Sequence, residues 1–190
     1  MGAILAATVC GAVDPSVPLG SLVVFDDLHF LGNRLPDGSL CTLHTDRGRR
    51  VAPTGSMAAR TRRSCAPPCS PAPPDEGHEI RDGGCYGHVD GPRFNTAAEI
   101  RSLRSVGVTA VSQTGGPETV LAGEASIPYA LVGYATDYAN GVMEEDTAPD
   151  DLMRLIAASK DVLALHTRGR PPPPRDSDDL PPVGHQIVMG

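Results

Sequence analysis

No apolar run in this chain approaches the roughly 18 consecutive residues that a membrane-spanning helix needs, so no transmembrane segment is expected. Basic charge is also in short supply. Lys and Arg number 16 against 23 Asp and Glu, a net charge of −7, which excludes a general binder of nucleic acid or anionic membrane. Such binding draws its affinity from a basic face that releases counterions. The apolar stretch MGAILAATVCGAVD carries no basic residue ahead of it, so a secretory signal is not expected. The five cysteines are odd in number and form no paired CxxC arrangement, which fits a reducing cytoplasm better than a disulfide scaffold. Neither a GxGxxG fingerprint nor a P-loop occurs, so no nucleotide-phosphate motif is read. What remains is a 190-residue chain with 40% hydrophobic residues, enough for one domain, with 21 glycines and 19 prolines spread unevenly.

The unevenness divides the chain. Ala3–Val9 and Ser21–Leu28 are short apolar runs separated by Gly11, Pro15, Pro18 and Gly20, and read as buried strands. Residues 45–84 carry Arg47, Arg49, Arg50, Arg60, Arg62 and Arg63 ahead of CAPPCSPAPPDEG, with no apolar period. Too little apolar surface is available there to offset chain entropy, so a flexible loop is expected. Residues 85–168 alternate. Strands are expected at Cys85–Val89, Val106–Val111 and Tyr129–Thr136, and helices at Thr96–Val106, Pro117–Ala125 and Thr147–Arg168. Thr96 and Glu99, and Thr147 and Asp150, have the spacing of a capping box, and Leu152, Leu155, Ile156 and Leu163 form an apolar stripe. Alternating strands and helices predict a single α/β domain over 1–168, followed by a Pro-rich, disordered tail at 169–190.

Each strand-to-helix junction in this domain carries polar residues with two readings. In Asp90–Asn95, Phe94 can stack on a planar ring and Asn95 can hydrogen-bond it, at a helix start that favours polar ligands. The same residues suit a tight turn with Phe94 buried and Arg93 paired to an acid. In Ser112–Glu118, Thr114 with Gly115 and Gly116 suits sugar hydroxyls or an anion, or else a glycine turn capped by Thr114. Asp137 follows a buried strand, where α/β folds tend to place ligands; it can serve as a general acid with a raised pKa, or cap the next segment. Cys65, Cys69, His78, Cys85 and His88 invite a zinc reading, but their spacing matches no paired arrangement, and no metal site is read.

Taken in order, these segments resemble the trimeric purine nucleoside phosphorylase family, most closely its 5′-methylthioadenosine phosphorylase branch. TVCGAVDPSVPLGSLVVFDDLHF is similar to that family's T-x-x-G…P-G-D-x-V-x-x-D segment, with Ser21 at its usual aspartate. DGPRFNTAAEI is similar to E-G-P-R-F-x-T-x-A-E. QTGGPETVLAGEASIPYALVGYATDYANGV is similar to M-T-x-x-P-E-x-x-L-A-x-E with the following T-D-Y-D. The resemblance implies a phosphorylase-type mixed central sheet flanked by helices, a homo-trimer, no cofactor, and phosphorolysis of 5′-methylthioadenosine or a related nucleoside with phosphate as co-substrate. It places Phe94 and Asn95 beside the purine, Asp137 at N7 as the catalytic acid, Gln113 and Val9 by the ribose, and Thr8 and Thr114 around phosphate.

The departures are equally specific. The family's Gly-Gly-Thr-Gly turn and Arg-His-Gly segment, which supply most phosphate ligands, do not occur, and the family's N-terminal strands are expected to be lacking. Gln113 stands at a methionine position and Ala139 at a second aspartate. Two alternatives therefore stand beside phosphorolysis. One is a catalytically impaired nucleoside-binding or regulatory relative. The other is a phosphate-independent nucleoside hydrolase or transferase.

Overall fold

The computed structural model describes residues 4–44, 50–54, 78–167 and 185–189. Two long apolar runs form its spine: β1 (Ile4–Ala12) and β8 (Tyr129–Tyr138) lie side by side and parallel, from Ile4 opposite Tyr129 to Ala12 opposite Tyr138. Around them assemble β2 (Leu22–Phe25), β3 (Asp27–His29), β5 (Ile80–Asp82), β6 (Cys85–His88) and β7 (Val108–Ser112). The seven-stranded sheet has the order β3-β6-β7-β1-β8-β2-β5. It is mixed: β7 is antiparallel to β1 and β2 to β8, and the other neighbours are parallel. Both edge strands are three residues long, which limits the row of unpaired backbone groups they expose.

Among the described residues, three helices pack on this sheet. α1 (Ala97–Ser105) starts where local chemistry says it should, because the Thr96 hydroxyl accepts from the Glu99 N–H and the Glu99 carboxylate from the Thr96 N–H. Its Ile100 is buried against Val13, Val108 and Val111, a contribution of about 2 kcal/mol for one aliphatic side chain. α2 (Gly115–Glu124) begins two residues before Pro117, and Ala122 joins the main core of Phe25, Tyr86 and Leu131. The rings of Phe25 and Tyr86 meet edge to face at 5.2 Å there. α3 (Pro149–Thr167) covers Leu22 and Tyr134 with Leu155 and Val162. Thr147 does not act as the start of a capping box: its hydroxyl accepts the Tyr138 N–H at 3.1 Å and ties the end of β8 to the approach of α3.

Strands also occupy segments that read as loop and tail. β5 lies within 45–84, paired to β2, with Ile80 packed against the Leu22–Tyr134 cluster. Three residues are too few to show a period, and the partner strand supplies their order. β4 (Arg50–Thr54) pairs antiparallel with β9 (His185–Met189) as a separate ribbon. That pairing joins the two segments whose composition argued against structure, and composition reports nothing about a distant partner. Cys65 and Cys69 lie outside the described residues.

Candidate active site

The sheet's central pair loses its regular register where the chemistry gathers. Cys10 stands opposite Ala135, but Gly11 stands opposite Asp137, so Thr136 is the extra residue of a bulge. Bulges re-aim side chains next to active sites. Here the Thr136 hydroxyl donates to Oδ1 of Asp137 at 2.8 Å. Glycine at position 11 makes room: a Cβ there would stand 3.1 Å from Asp137 Oδ2. Burial raises the pKa of the Asp137 carboxyl, and the Thr136 hydrogen bond only partly opposes it. The buried Cys10 thiol is pushed up as well, by its own desolvation and then by the charge of Asp137. It is a poor nucleophile in this state.

A cluster of hydroxyls forms the opposite wall. Thr8 Oγ1 lies 3.0 Å from both Ser112 Oγ and Thr114 Oγ1, joining the middle of β1 and the end of β7 to the start of α2. Thr114 makes no side-chain cap bond to the helix it precedes. The hydroxyl that accepts the Thr114 and Gly115 N–H groups belongs to Tyr86, at 3.2 and 2.9 Å.

The third wall is the loop before α1. Arg93 forms a two-pronged ion pair with Glu99, at 2.7 and 2.9 Å, so the alternative of Arg93 paired to an acid is the one observed. The companion alternative, a buried Phe94, is not: its side chain is 70% exposed at the rim. Asn95 donates its side-chain N–H to Glu99, and its carbonyl accepts from Asn140 Nδ2 at 2.8 Å, which fastens this loop to the end of β8. Gly91 adopts φ +65°, and a side chain there would collide with the amide of Gln113.

These walls enclose one cavity of about 340 Å³, lined by Thr8, Val9, Phe94, Asn95, Gln113, Thr114 and Asp137. Every residue singled out from the sequence for substrate, phosphate or proton transfer therefore reaches the same space. Sequence reasoning missed Cys10, Ser112 and Thr136, which line it too. No local signal marks them, since a bulge and a hydroxyl cluster exist only between paired strands. Leu152 and Ile156 divide the apolar stripe of α3: they line the cavity, whereas Leu155 enters the core. Among the described residues no three His, Cys, Asp or Glu side chains are placed to hold a metal ion, and no helix is long and apolar enough to cross a membrane.

A family profile described as the phosphorylase superfamily matches residues 1–167. The 6-oxopurine nucleoside phosphorylase of Pyrococcus furiosus is 28% identical over 173 residues, 85% of this chain and 62% of its own. The S-methyl-5′-thioadenosine phosphorylase of Bradyrhizobium diazoefficiens is 28% identical over 183 residues, 94% of this chain and 60% of its own. A probable S-methyl-5′-thioinosine phosphorylase of Methanopyrus kandleri reaches 42% identity over 82 residues, 43% of this chain and 32% of its own. Among solved structures, a variant of the adenosine/methylthioadenosine phosphorylase from Schistosoma mansoni in complex with adenine superposes with a TM-score of 0.70 at 21% identity. The match covers 87% of this chain and 62% of that one, and at such identity it speaks for the fold. The chain thus spans less than two thirds of the length of each of these relatives.

Proposed function

We propose, on the premise that this chain belongs to the phosphorylase superfamily, that it cleaves purine nucleosides by phosphorolysis, with 5′-methylthioadenosine or a related 5′-modified adenosine as substrate. The observation that carries the reading is the convergence of Phe94, Asn95, Gln113, Thr114, Val9, Thr8 and Asp137 on one cavity. As the glycosidic bond breaks, its electron pair moves onto the base and the sugar becomes oxocarbenium-like. Asp137, whose pKa burial raises, donates its proton to N7 of the leaving purine. An oxygen of phosphate bonds to C1′, and the products are free base and sugar 1-phosphate. Phe94 and Asn95 hold the base, Gln113 and Val9 flank the ribose, and the hydroxyls of Thr8 and Thr114 face the phosphate. Once its proton has passed to N7, a carboxylate oxygen of Asp137 can accept from a 6-amino group, whereas a 6-oxo group would set acceptor against acceptor, which supports adenosine-type substrates. The reading takes phosphate as co-substrate with no cofactor, in a homo-trimeric, cytoplasmic enzyme. Family membership supports the assembly, and the free thiols of Cys10, Cys41 and Cys85 support a reducing compartment.

One observation favours a second reading. Among the described residues, Arg93 is the cationic side chain lining the cavity, and Glu99 occupies it. A phosphate dianion without a cation in a partly dry site costs on the order of several kcal/mol, while water costs nothing comparable. Phosphate-independent base release, or nucleoside binding without turnover, answers to that geometry. Incubating the full chain with methylthioadenosine, with and without phosphate, separates them. Phosphate-dependent adenine release supports phosphorolysis, and phosphate-independent release supports hydrolysis. A melting shift with nucleoside but no release supports a binding relative. If purine nucleosides neither react nor shift the melting curve, all three readings fail.

A further inference from the structure

A helix leaves its first N–H groups without intrahelical partners, and the side chain at its N-cap ordinarily accepts from the second or third of the residues that follow. α1 obeys this rule: Thr96 has the extended backbone of a cap (φ −72°, ψ 159°) and its hydroxyl bonds the Glu99 N–H. α2 does not. Thr114 has a helical backbone (φ −119°, ψ −47°) and makes no cap bond, and the third residue after it is Pro117, which has no N–H to offer. The acceptor comes from the sheet instead. Tyr86, fully buried on β6 and wedged edge to face against Phe25, receives the N–H groups of Thr114 and Gly115 on its hydroxyl. Glycine at 115 permits this approach, because a Cβ there would meet Leu131 and stand 3.3 Å from the Tyr86 ring. With its backbone held from outside, Thr114 keeps its own hydroxyl 3.0 Å from Thr8 Oγ1, on the cavity wall.

We propose that Tyr86 is a positioning residue for this site: it caps α2 from the sheet and thereby fixes the Thr114 hydroxyl in the cluster with Thr8. Tyr86 itself does not line the cavity. The kinetic part of the proposal rests on the phosphorolysis reading, while the capping part stands apart from it.

The test is a double-mutant cycle of Tyr86→Phe and Thr114→Val in the full chain, followed by melting and by steady-state kinetics. In melting, Tyr86→Phe leaves the buried Gly115 N–H and the part-buried Thr114 N–H without their acceptor and lowers Tm by about 5 °C, while Thr114→Val, removing no cap, moves it by about 2 °C or less. In kinetics each single variant raises KM for phosphate about tenfold, the worth of one hydrogen bond to a charged group, and leaves KM for nucleoside within about twofold. The double variant is no worse than the worse single one, because both changes act through one hydroxyl. Three results overturn the proposal: Thr114→Val destabilising as much as Tyr86→Phe, an unchanged phosphate KM in Tyr86→Phe, or effects that multiply in the double variant. Should Tyr86→Phe not fold, Thr114→Val alone still decides by melting whether Thr114 is a cap. Should the wild-type chain prove inactive with phosphate, the phosphorolysis reading falls and the melting comparison continues to test the capping.

Discussion

The Thr136 hydroxyl donates to Oδ1 of Asp137 across 2.8 Å, from the residue that the bulge leaves without a register partner on β1. This hydrogen bond favours the ionised carboxylate and burial disfavours it; burial prevails, so Asp137 holds its proton above the usual range. Thr136→Val removes the opposing contact and is expected to move the falling limb of the pH–rate profile for base release to higher pH. Asp137→Ala, which removes the acid, is expected to lower kcat by about 10²–10⁴-fold. A limb unmoved in Thr136→Val would show that the rate does not depend on this proton.

Asp137 also makes stability depend on pH, with a definite sign. Its unfolded value is the ordinary 3.8, and its folded value is higher. Between the two the folded chain binds more protons than the unfolded one, so stability falls with rising pH there. The contribution is complete below 3.8 and is lost as pH rises through the folded pKa. In chemical denaturation from about pH 3 to about pH 8, Asp137→Asn is expected to gain on the wild type through that window and then run level with it.

Phe94 separates binding from folding. At 70% exposure its truncation removes little buried surface, so Phe94→Ala is expected to leave Tm nearly unchanged. A base stacked on the ring loses about 1–3 kcal/mol, a rise of about 5- to 150-fold in KM for nucleoside. A large fall in Tm with unchanged KM would make Phe94 a structural residue.

Thr96 gives the converse case. Its hydroxyl belongs to the capping box of α1, and Thr96→Ala is expected to cost about 1 kcal/mol by denaturant titration. Substrate affinity is the secondary readout, because Glu99 also holds Arg93 and Asn95.

Gly91→Ala is expected to be harsher. The residue lies at φ +65°, and a methyl group would press on the Gln113 amide. The expected cost is about 1–3 kcal/mol, with a raised KM as Gln113 is displaced; a neutral effect on both would mean the loop relaxes freely.

The elements legible in the sequence are those whose causes lie within a few residues. Thr96 and Glu99 supply the two acceptors that start α1, and the apolar runs of β1 and β8 are long enough to declare buried strands. Phe94, Asn95, Thr114 and Asp137 stood out because polar groups at strand-to-helix junctions are cheap to expose and useful to a ligand. Thr147 and Thr114 had the right chemistry for caps and the wrong partners, since Tyr138 claims the first and Tyr86 relieves the second. The strands β4, β5 and β9 were invisible for a related reason: each is ordered by a segment elsewhere in the chain.

By itself, then, the sequence determined which polar residues stand at the strand-to-helix junctions and roughly where strand passes to helix, because propensity, capping and apolar period are local. Tertiary structure alone decided that Asp137 lies beside the bulged Thr136, that Arg93 is engaged by Glu99, and that the hydroxyl of a tyrosine from β6 accepts the first N–H groups of α2. Those facts are properties of pairs, set by register and burial, and no single stretch of chain contains both members.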